Sequence, residues 1–99
     1  MEQNSVRLTA TLAGIEPLRH TPAGLPVVEF TLAHVSPQSE AGHERTVEFE
    51  MTAKAVGDIA GRIAGMQPGR RVDVQGFLHR RHRMSRQVIL HVTNIDLIQ

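Results

Sequence analysis

The chain has 99 residues, of which 11 are Lys or Arg and 10 are Asp or Glu, and its formal net charge is +1. A chain of this length can bury one core, so we expect a single domain over residues 1–99. The absence of cysteine excludes disulfides and thiolate chemistry, and no apolar run reaches the roughly 18 residues of a transmembrane helix. Residues 1–5 lack the basic and apolar regions of a secretory signal, so a cytoplasmic, nucleoid-associated protein is expected.

Alternating apolar and polar residues predict three strands in the first half of the chain. These strands cover residues 6–12, 28–32 and 47–52. Gly14 follows the first strand and marks a place where it can bulge. Prolines and glycines predict a loop at residues 17–26 and another at residues 36–45. Phe30 and Phe49 lie on the apolar side of their strands, so we expect both in the core.

The spacing of the apolar residues changes after Thr52. They recur at helical spacing, at Val56, Ile59, Ala60 and Ile63. Three glycines weaken this segment, so we expect a helix of one or two turns that depends on packing for its stability. Two further strands are predicted, at residues 72–78 and 89–98.

The order of these elements is three strands, a short helix and two strands. This order is typical of the OB-fold, an all-β, five-stranded Greek-key barrel with its helix between strands three and four. An SH3-like barrel or another small β-barrel is the competing architecture. In the OB-fold, the loops after strands one and four line a cleft that binds nucleic acid.

The segment after the fourth predicted strand is rich in arginine. Residues 79–86, here called the basic segment, contain four arginines and no acid. The other seven basic residues of the chain are outnumbered by its 10 acidic ones, so positive charge is concentrated here. Because arginine bonds phosphate bidentately, we predict nucleic-acid contacts for Arg80, Arg81, Arg83 and Arg86. The alternative is a solvated run of charge without a function.

Four other residues are candidate contacts. Arg19 lies in the first cleft loop. His79 and His82 add charge when protonated, so binding is expected to strengthen as the pH falls through about 6.5; without a cysteine or a nearby acid their spacing is a weak indication of a metal site. Strict alternation places Phe77 on the outer face, where it can stack on a base. The alternatives are that Gly76 marks a bulge that turns Phe77 inward, or that Phe77 lies in a dimer contact.

No group of residues has the arrangement of a catalytic site. The acidic residues alternate with apolar residues on the predicted strands, and none is paired with a nucleophile. The repeated glycines lack the Lys-Ser/Thr that completes a phosphate-binding loop. We therefore predict neither enzymatic activity nor a cofactor.

Several segments resemble the primosomal replication protein N (PriB) family. They are residues 17–19, 22–26, 30, 40–42, 72–77, 90–91 and 95–98. The Gly-Leu-Pro…Phe and Val-x-Val-x-Gly pieces also resemble bacterial single-stranded DNA-binding proteins, a sister OB-fold family. That sister family carries a long tail with an acidic tip after the fifth strand, so the length of this chain favours the primosomal family.

The resemblance implies a homodimeric OB-fold accessory of replication restart without catalytic activity. Such a protein binds single-stranded DNA and assists a primosomal helicase at stalled forks. The other primosome proteins are implied partners, single-stranded DNA-binding protein is a further candidate, and no membrane is involved.

The chain departs from the family pattern at its aromatic positions. Well-known members place a Trp on strand three and an aromatic residue in the loop before it, where this chain has Glu48 and His43. We therefore expect binding that depends on charge more than on stacking. The alternative, which the acids Glu29, Glu48 and Glu50 also suggest, is a protein-interaction module with weak or vestigial DNA binding. Charge alone does not distinguish DNA from RNA.

Overall fold

The computed structural model describes all 99 residues. It contains five long strands, one two-residue strand and one helix. The elements are β1 (Val6–Ile15), β2 (Arg19–His20), β3 (Pro26–Glu40), β4 (His43–Val56), α1 (Asp58–Ala64), β5 (Arg71–Arg80) and β6 (Val88–Ile98). Helix α1 lacks the length and the apolar character that crossing a membrane requires.

The five long strands close into a barrel in the order β1-β5-β6-β4-β3, with β3 pairing back onto β1. All of these pairings are antiparallel except the one between β4 and β6, which is parallel. The helix lies between the third and fourth long strands. The predicted OB-fold is therefore confirmed.

The core follows the alternation seen in the sequence. Fourteen buried apolar residues form one cluster, which includes Phe30 from β3, Val72 and Val74 from β5, and Ile63 from α1. No polar or charged residue is buried. Burying a large apolar side chain contributes about 1.5–3 kcal/mol, so this cluster supplies the main driving force that closes the barrel. The predicted core position of Phe30 is confirmed, and so is the short helix that packs against the barrel. Val56 was expected in that helix but is the last residue of β4, because the helix begins only at Asp58.

The predicted loop at residues 36–45 is wrong, because β3 and β4 continue through it as a hairpin. Their ladder extends to the pair Glu40 and His43. Both residues of the turn, Ala41 and Gly42, have positive φ (52° and 79°), as a two-residue hairpin turn requires. Pro37 is tolerated because β3 has only β4 beside it at this point. A polar segment can form strands where both faces contact solvent.

The hairpin also corrects the predicted position of Phe49. Its side chain is on the same face of β4 as the buried Ala53, but it lies beyond the end of the barrel and is 41% exposed. Its ring is 5.0 Å from that of His34 on β3. The expectation that Phe49 belongs to the core is therefore wrong.

Two irregularities adjust the strands of the barrel. The register of β1 shifts between Leu12 and Gly14, as the predicted bulge requires. A second shift accompanies Gly76, where Gln75 pairs with Asn94 but Gly76 pairs with Val92. The extra residue therefore lies on β6. A Cβ atom at Gly76 would overlap the carbonyl oxygen of His91, so only glycine allows β5 and β6 to approach this closely.

Candidate nucleic-acid interface

The two predicted cleft loops meet at one acidic residue of β3. Arg19 on β2 donates from Nη2 to Oε2 of Glu29 at 3.2 Å, and Arg81 in the basic segment donates from Nη2 to Oε1 at 2.9 Å. The carboxylate of Glu29 therefore joins the β1–β3 connection to the β5–β6 connection. Glu29 and Arg81 border a hollow of about 300 Å³, which is also lined by Thr31 and Thr52.

Backbone hydrogen bonds order the basic segment. The Arg81 amide donates to the carbonyl of Gln87 at 2.9 Å, and the Ser85 amide donates to that of His82 at 3.0 Å. The Arg80 side chain donates to the carbonyl of Arg83 at 3.0 Å. All three bonds are made within the β5–β6 connection, so this connection forms a hydrogen-bonded turn.

The arginine side chains of this turn differ in their partners. Arg81 is paired with Glu29, and Arg80 is bonded to the segment's own backbone. The side chains of Arg83 and Arg86 are exposed and make no hydrogen bond or ion pair. These two guanidinium groups therefore keep all their donors available for an anion.

Phe77 lies on the outer face of the barrel, as strict alternation predicts. Because the extra residue of the bulge lies on β6, the alternation of β5 continues past Gly76. Phe77 is 37% exposed, and its ring stacks on His91 with a centroid distance of 5.0 Å and an interplanar angle of 18°. The alternative in which Phe77 turns inward is wrong.

Strand register places a row of side chains across this outer face. Glu29 on β3 is opposite Lys54 on β4, Lys54 is opposite His91 on β6, and His91 is opposite Phe77 on β5. His79 adds a third ring, 5.5 Å from that of His91. Directly opposite residues share a face, so the row leads from the aromatic rings to the arginines at Glu29.

Burial and nearby positive charge favour the neutral form of the His91 imidazole at neutral pH. Partial burial lowers the pKa of His91 below its ordinary value of 6.5, and the positive charges of Lys54 and His79 lower that pKa further. A neutral imidazole stacks on Phe77 without carrying a desolvated charge. At neutral pH His91 therefore adds little positive charge to the row.

The two histidines of the basic segment contact residues close to them. Nδ1 of His82 accepts a hydrogen bond from the Met84 amide at 3.3 Å. His79 lies in the ring cluster described above. Nowhere in the chain do three or more His, Asp or Glu side chains converge in a way that could hold a metal ion.

Comparison with known proteins connects this geometry to two groups. A family described as another single-strand binding protein family matches residues 4–94. The chain is 38% identical over 98 residues to the replication restart protein PriB of Nitrosomonas europaea, a match that covers 99% of this chain and 91% of that protein. The chain belongs to the PriB family. The resemblance found in the sequence is thereby confirmed.

Solved structures agree with this PriB assignment. The structure of PriB from Ralstonia solanacearum superposes with a TM-score of 0.92 at 33% identity, and the match covers 99% of this chain and all of that one. The single-stranded DNA-binding protein of Thermus aquaticus superposes with a TM-score of 0.79 at 26% identity. That match covers 98% of this chain and 50% of the Thermus protein. The OB barrel is therefore common to both groups.

Sequence reasoning missed three residues of this PriB-family surface. Lys54 and His91 are far apart in the sequence, and only the pairing of β4 with β6 places them side by side. Phe49 follows the alternation of the core residues, although its exposed ring packs against the half-buried His34 outside the core. Glu48, compared above with the family's Trp, precedes Phe49 and points to the other face of β4. Phe49 therefore does not replace that Trp, because its ring lies on the opposite face of the hairpin.

Proposed function

We propose that this PriB-family protein binds single-stranded DNA as an accessory of the primosome, mainly through its basic segment. The observation that carries the proposal is that Arg19 and Arg81, from two separate loops, converge at one point of the cleft beside the unpaired Arg83 and Arg86. The relatives' name, replication restart protein, and the single-strand binding family support this function.

Binding of this kind depends on phosphate neutralisation. Each phosphate contact by an arginine releases condensed counterions, so the logarithm of the association constant falls linearly with the logarithm of salt concentration, by about 0.7 per contact for a single strand. Arg80, Arg81, Arg83, Arg86 and Arg19 hold the backbone, with His79 and His82 as further contacts. Because phosphates carry no sequence information, little sequence preference is expected.

Aromatic rings complete the proposed path of the strand. Phe77 offers the ring face that His91 leaves uncovered. Phe49 offers a separate ring on the hairpin, on the face of β4 opposite to Lys54. Stacking of one base on an aromatic side chain contributes about 1–3 kcal/mol. The path therefore runs from Phe77 to the arginines at Glu29.

We further propose a cytoplasmic homodimer without catalytic activity that assists a primosomal helicase at stalled forks. Residues 6–8 of β1 pair with β5 on one side and have no strand on the other. An open edge of this kind favours pairing with a second copy, and a two-fold dimer would present two basic segments. Sedimentation at micromolar concentration should show a dimer; a monomer would contradict this part.

A second candidate function is that of a protein-interaction module with weak DNA binding. One face of the hairpin carries the carboxylates of Glu44, Glu48 and Glu50, none of which forms an ion pair, next to Val35, which is 67% exposed. An acidic face with an apolar centre repels DNA and suits a basic protein surface. Other primosome proteins and single-stranded DNA-binding protein are the proposed partners.

The test of DNA binding compares two pairs of arginines at opposite ends of β5. The double variant Arg83→Ala, Arg86→Ala should weaken binding of fluorescent oligo-dT and of mixed sequences alike, and should reduce the salt slope by about 1.4. Its control is Arg70→Ala, Arg71→Ala, which removes the same charge about 30 Å away.

The control pair should leave the slope unchanged. If both variants reduce affinity and slope equally, the basic segment has no special role and binding reflects net charge alone. If neither does, the role proposed for the basic segment is contradicted. Wild-type binding too weak to saturate would favour the protein-interaction function.

A further inference from the structure

The contact at the centre of the cleft is an unusual one for a phosphate-binding site. Both carboxylate oxygens of Glu29 are occupied, one by Arg19 at 3.2 Å and the other by Arg81 at 2.9 Å. The Glu29 side chain is 24% exposed, whereas those of Arg19 and Arg81 are 54% and 38% exposed. The two arginines alone would carry a charge of +2, and the carboxylate of Glu29 reduces the net charge of the three side chains to +1.

The geometry of this contact resembles that of a bound phosphate. A carboxylate presents two oxygens to guanidinium donors in the same way that a phosphodiester presents its two unesterified oxygens. A phosphate that binds between Arg19 and Arg81 competes with Glu29 for their Nη2 donors. A phosphate that binds to their other N–H groups meets a negative charge beside them.

Strand register supplies a second partner for the displaced carboxylate. Lys54 is directly opposite Glu29 on β4, and directly opposite residues of an antiparallel pair share a face. Lys54 forms no ion pair in this structure. Rotation of the Glu29 side chain toward Lys54 would free both arginines without leaving the carboxylate unpaired.

We propose that Glu29 is an internal substitute for phosphate: it holds Arg19 and Arg81 together while the cleft is empty, and it transfers to Lys54 when a phosphate of the bound strand replaces it. This inference rests on the proposed DNA-binding function. Glu29 is then a positioning residue that sets the affinity of the site and its selectivity for ligands able to displace a carboxylate.

The variant Glu29→Gln tests this competition. It removes the charge and leaves the shape of the side chain nearly unchanged, so oligo-dT should bind about threefold to tenfold more tightly at about 0.05 M salt, and the salt slope should steepen by about 0.7. Glu29→Thr, which suits a strand, should change both quantities in the same direction and serves if the first variant folds poorly.

The matched control is Glu40→Gln at the far end of the same strand. Glu40 pairs with Arg45 at 2.8 Å on the exposed hairpin, so this variant removes the same charge from the same kind of contact. It should change affinity less than twofold. Unchanged or weaker binding by both Glu29 variants, with thermal unfolding like that of the wild type, would overturn the inference.

The role of Lys54 is tested by a double-mutant cycle. Lys54→Met should weaken DNA binding in the wild-type background and have little effect when Glu29 is already Gln, because no carboxylate then needs a partner. An equal loss in both backgrounds would show that Lys54 contacts DNA itself, and would overturn the transfer of Glu29.

These results separate the inference from the function on which it rests. If the arginine variants of the basic segment reduce the salt slope while the Glu29 variants do not increase it, only the inference fails. If the wild type and all these variants bind oligo-dT too weakly to saturate, both fail together.

Discussion

Gly76 is the residue at which the barrel depends most clearly on the absence of a side chain. A Cβ atom there would meet only backbone atoms, the carbonyl group of His91 and the Cα of Val92 at 3.0 Å. Gly76→Ala should therefore force β5 and β6 apart and lower the free energy of unfolding by about 3 kcal/mol, as measured by urea denaturation.

Gly61 provides the control for this substitution. It lies within α1, and a Cβ atom there would have no neighbour within 4 Å. Gly61→Ala should raise the free energy of unfolding by about 0.5–1 kcal/mol, because alanine favours the helix. Equal effects of the two substitutions would contradict the close approach of the strands.

His91 is the histidine whose pKa is shifted by its surroundings. Partial burial, Lys54 and His79 lower its pKa in the folded state below the ordinary value of 6.5. Its contribution to stability is therefore fully present above about pH 6.5 and is lost as the pH falls through the folded-state pKa. Titration of the His91 ring by NMR should give a pKa below 6.5.

Lys54→Met should raise the pKa of His91 toward 6.5, because one of the nearby positive charges is removed. The pKa should remain below 6.5, since partial burial, the largest cause, persists. A pKa of His91 at or above 6.5 in the wild type would contradict the stacked, neutral imidazole.

The β3–β4 hairpin is the element that extends beyond the barrel, and Phe49 is its exposed ring. Phe49→Ala should change the free energy of unfolding by only about 1 kcal/mol, because the side chain is 41% exposed. It should weaken oligo-dT binding by about 1–3 kcal/mol, because a base is proposed to stack on this ring. Val35→Ala, on the opposite face of the hairpin, should have no effect on DNA binding; equal losses would contradict a stacking site.

The sequence predicted the elements of the barrel better than it predicted the hairpin. Alternation identifies Val72 and Val74 because one face of their strand is buried. Residues 36–40 and 43–45 are exposed except for the half-buried Ser36, so no apolar period marks them as strands. Phe49 follows the same alternation as the core residues, and only the length of the hairpin reveals that it lies beyond the barrel.

The candidate site was predicted in part for a related reason. The charge of the basic segment is visible in the sequence, as is the outward position of Phe77. The contacts between Arg81 and Glu29, 52 residues apart, and between Lys54 and His91 come from strand pairing and loop closure. No local pattern in a single sequence contains that information.

At the scale of the whole molecule, charge is divided between two regions. The basic segment carries unpaired arginines at the cleft, and the hairpin carries unpaired carboxylates on one face. DNA should therefore approach through the basic segment and avoid the acidic face, which remains available to a protein partner. Electrostatic steering of this kind weakens as salt screens the charges.

The measurement that tests DNA binding most directly is fluorescence anisotropy of labelled oligo-dT, titrated with the wild-type protein at about 0.05 M and about 0.2 M salt. Contacts by four or five arginines predict saturable binding whose logarithmic salt slope is about −3. Binding that saturates with a slope near zero, or that is too weak to saturate at either salt concentration, would contradict an electrostatic DNA site at the basic segment.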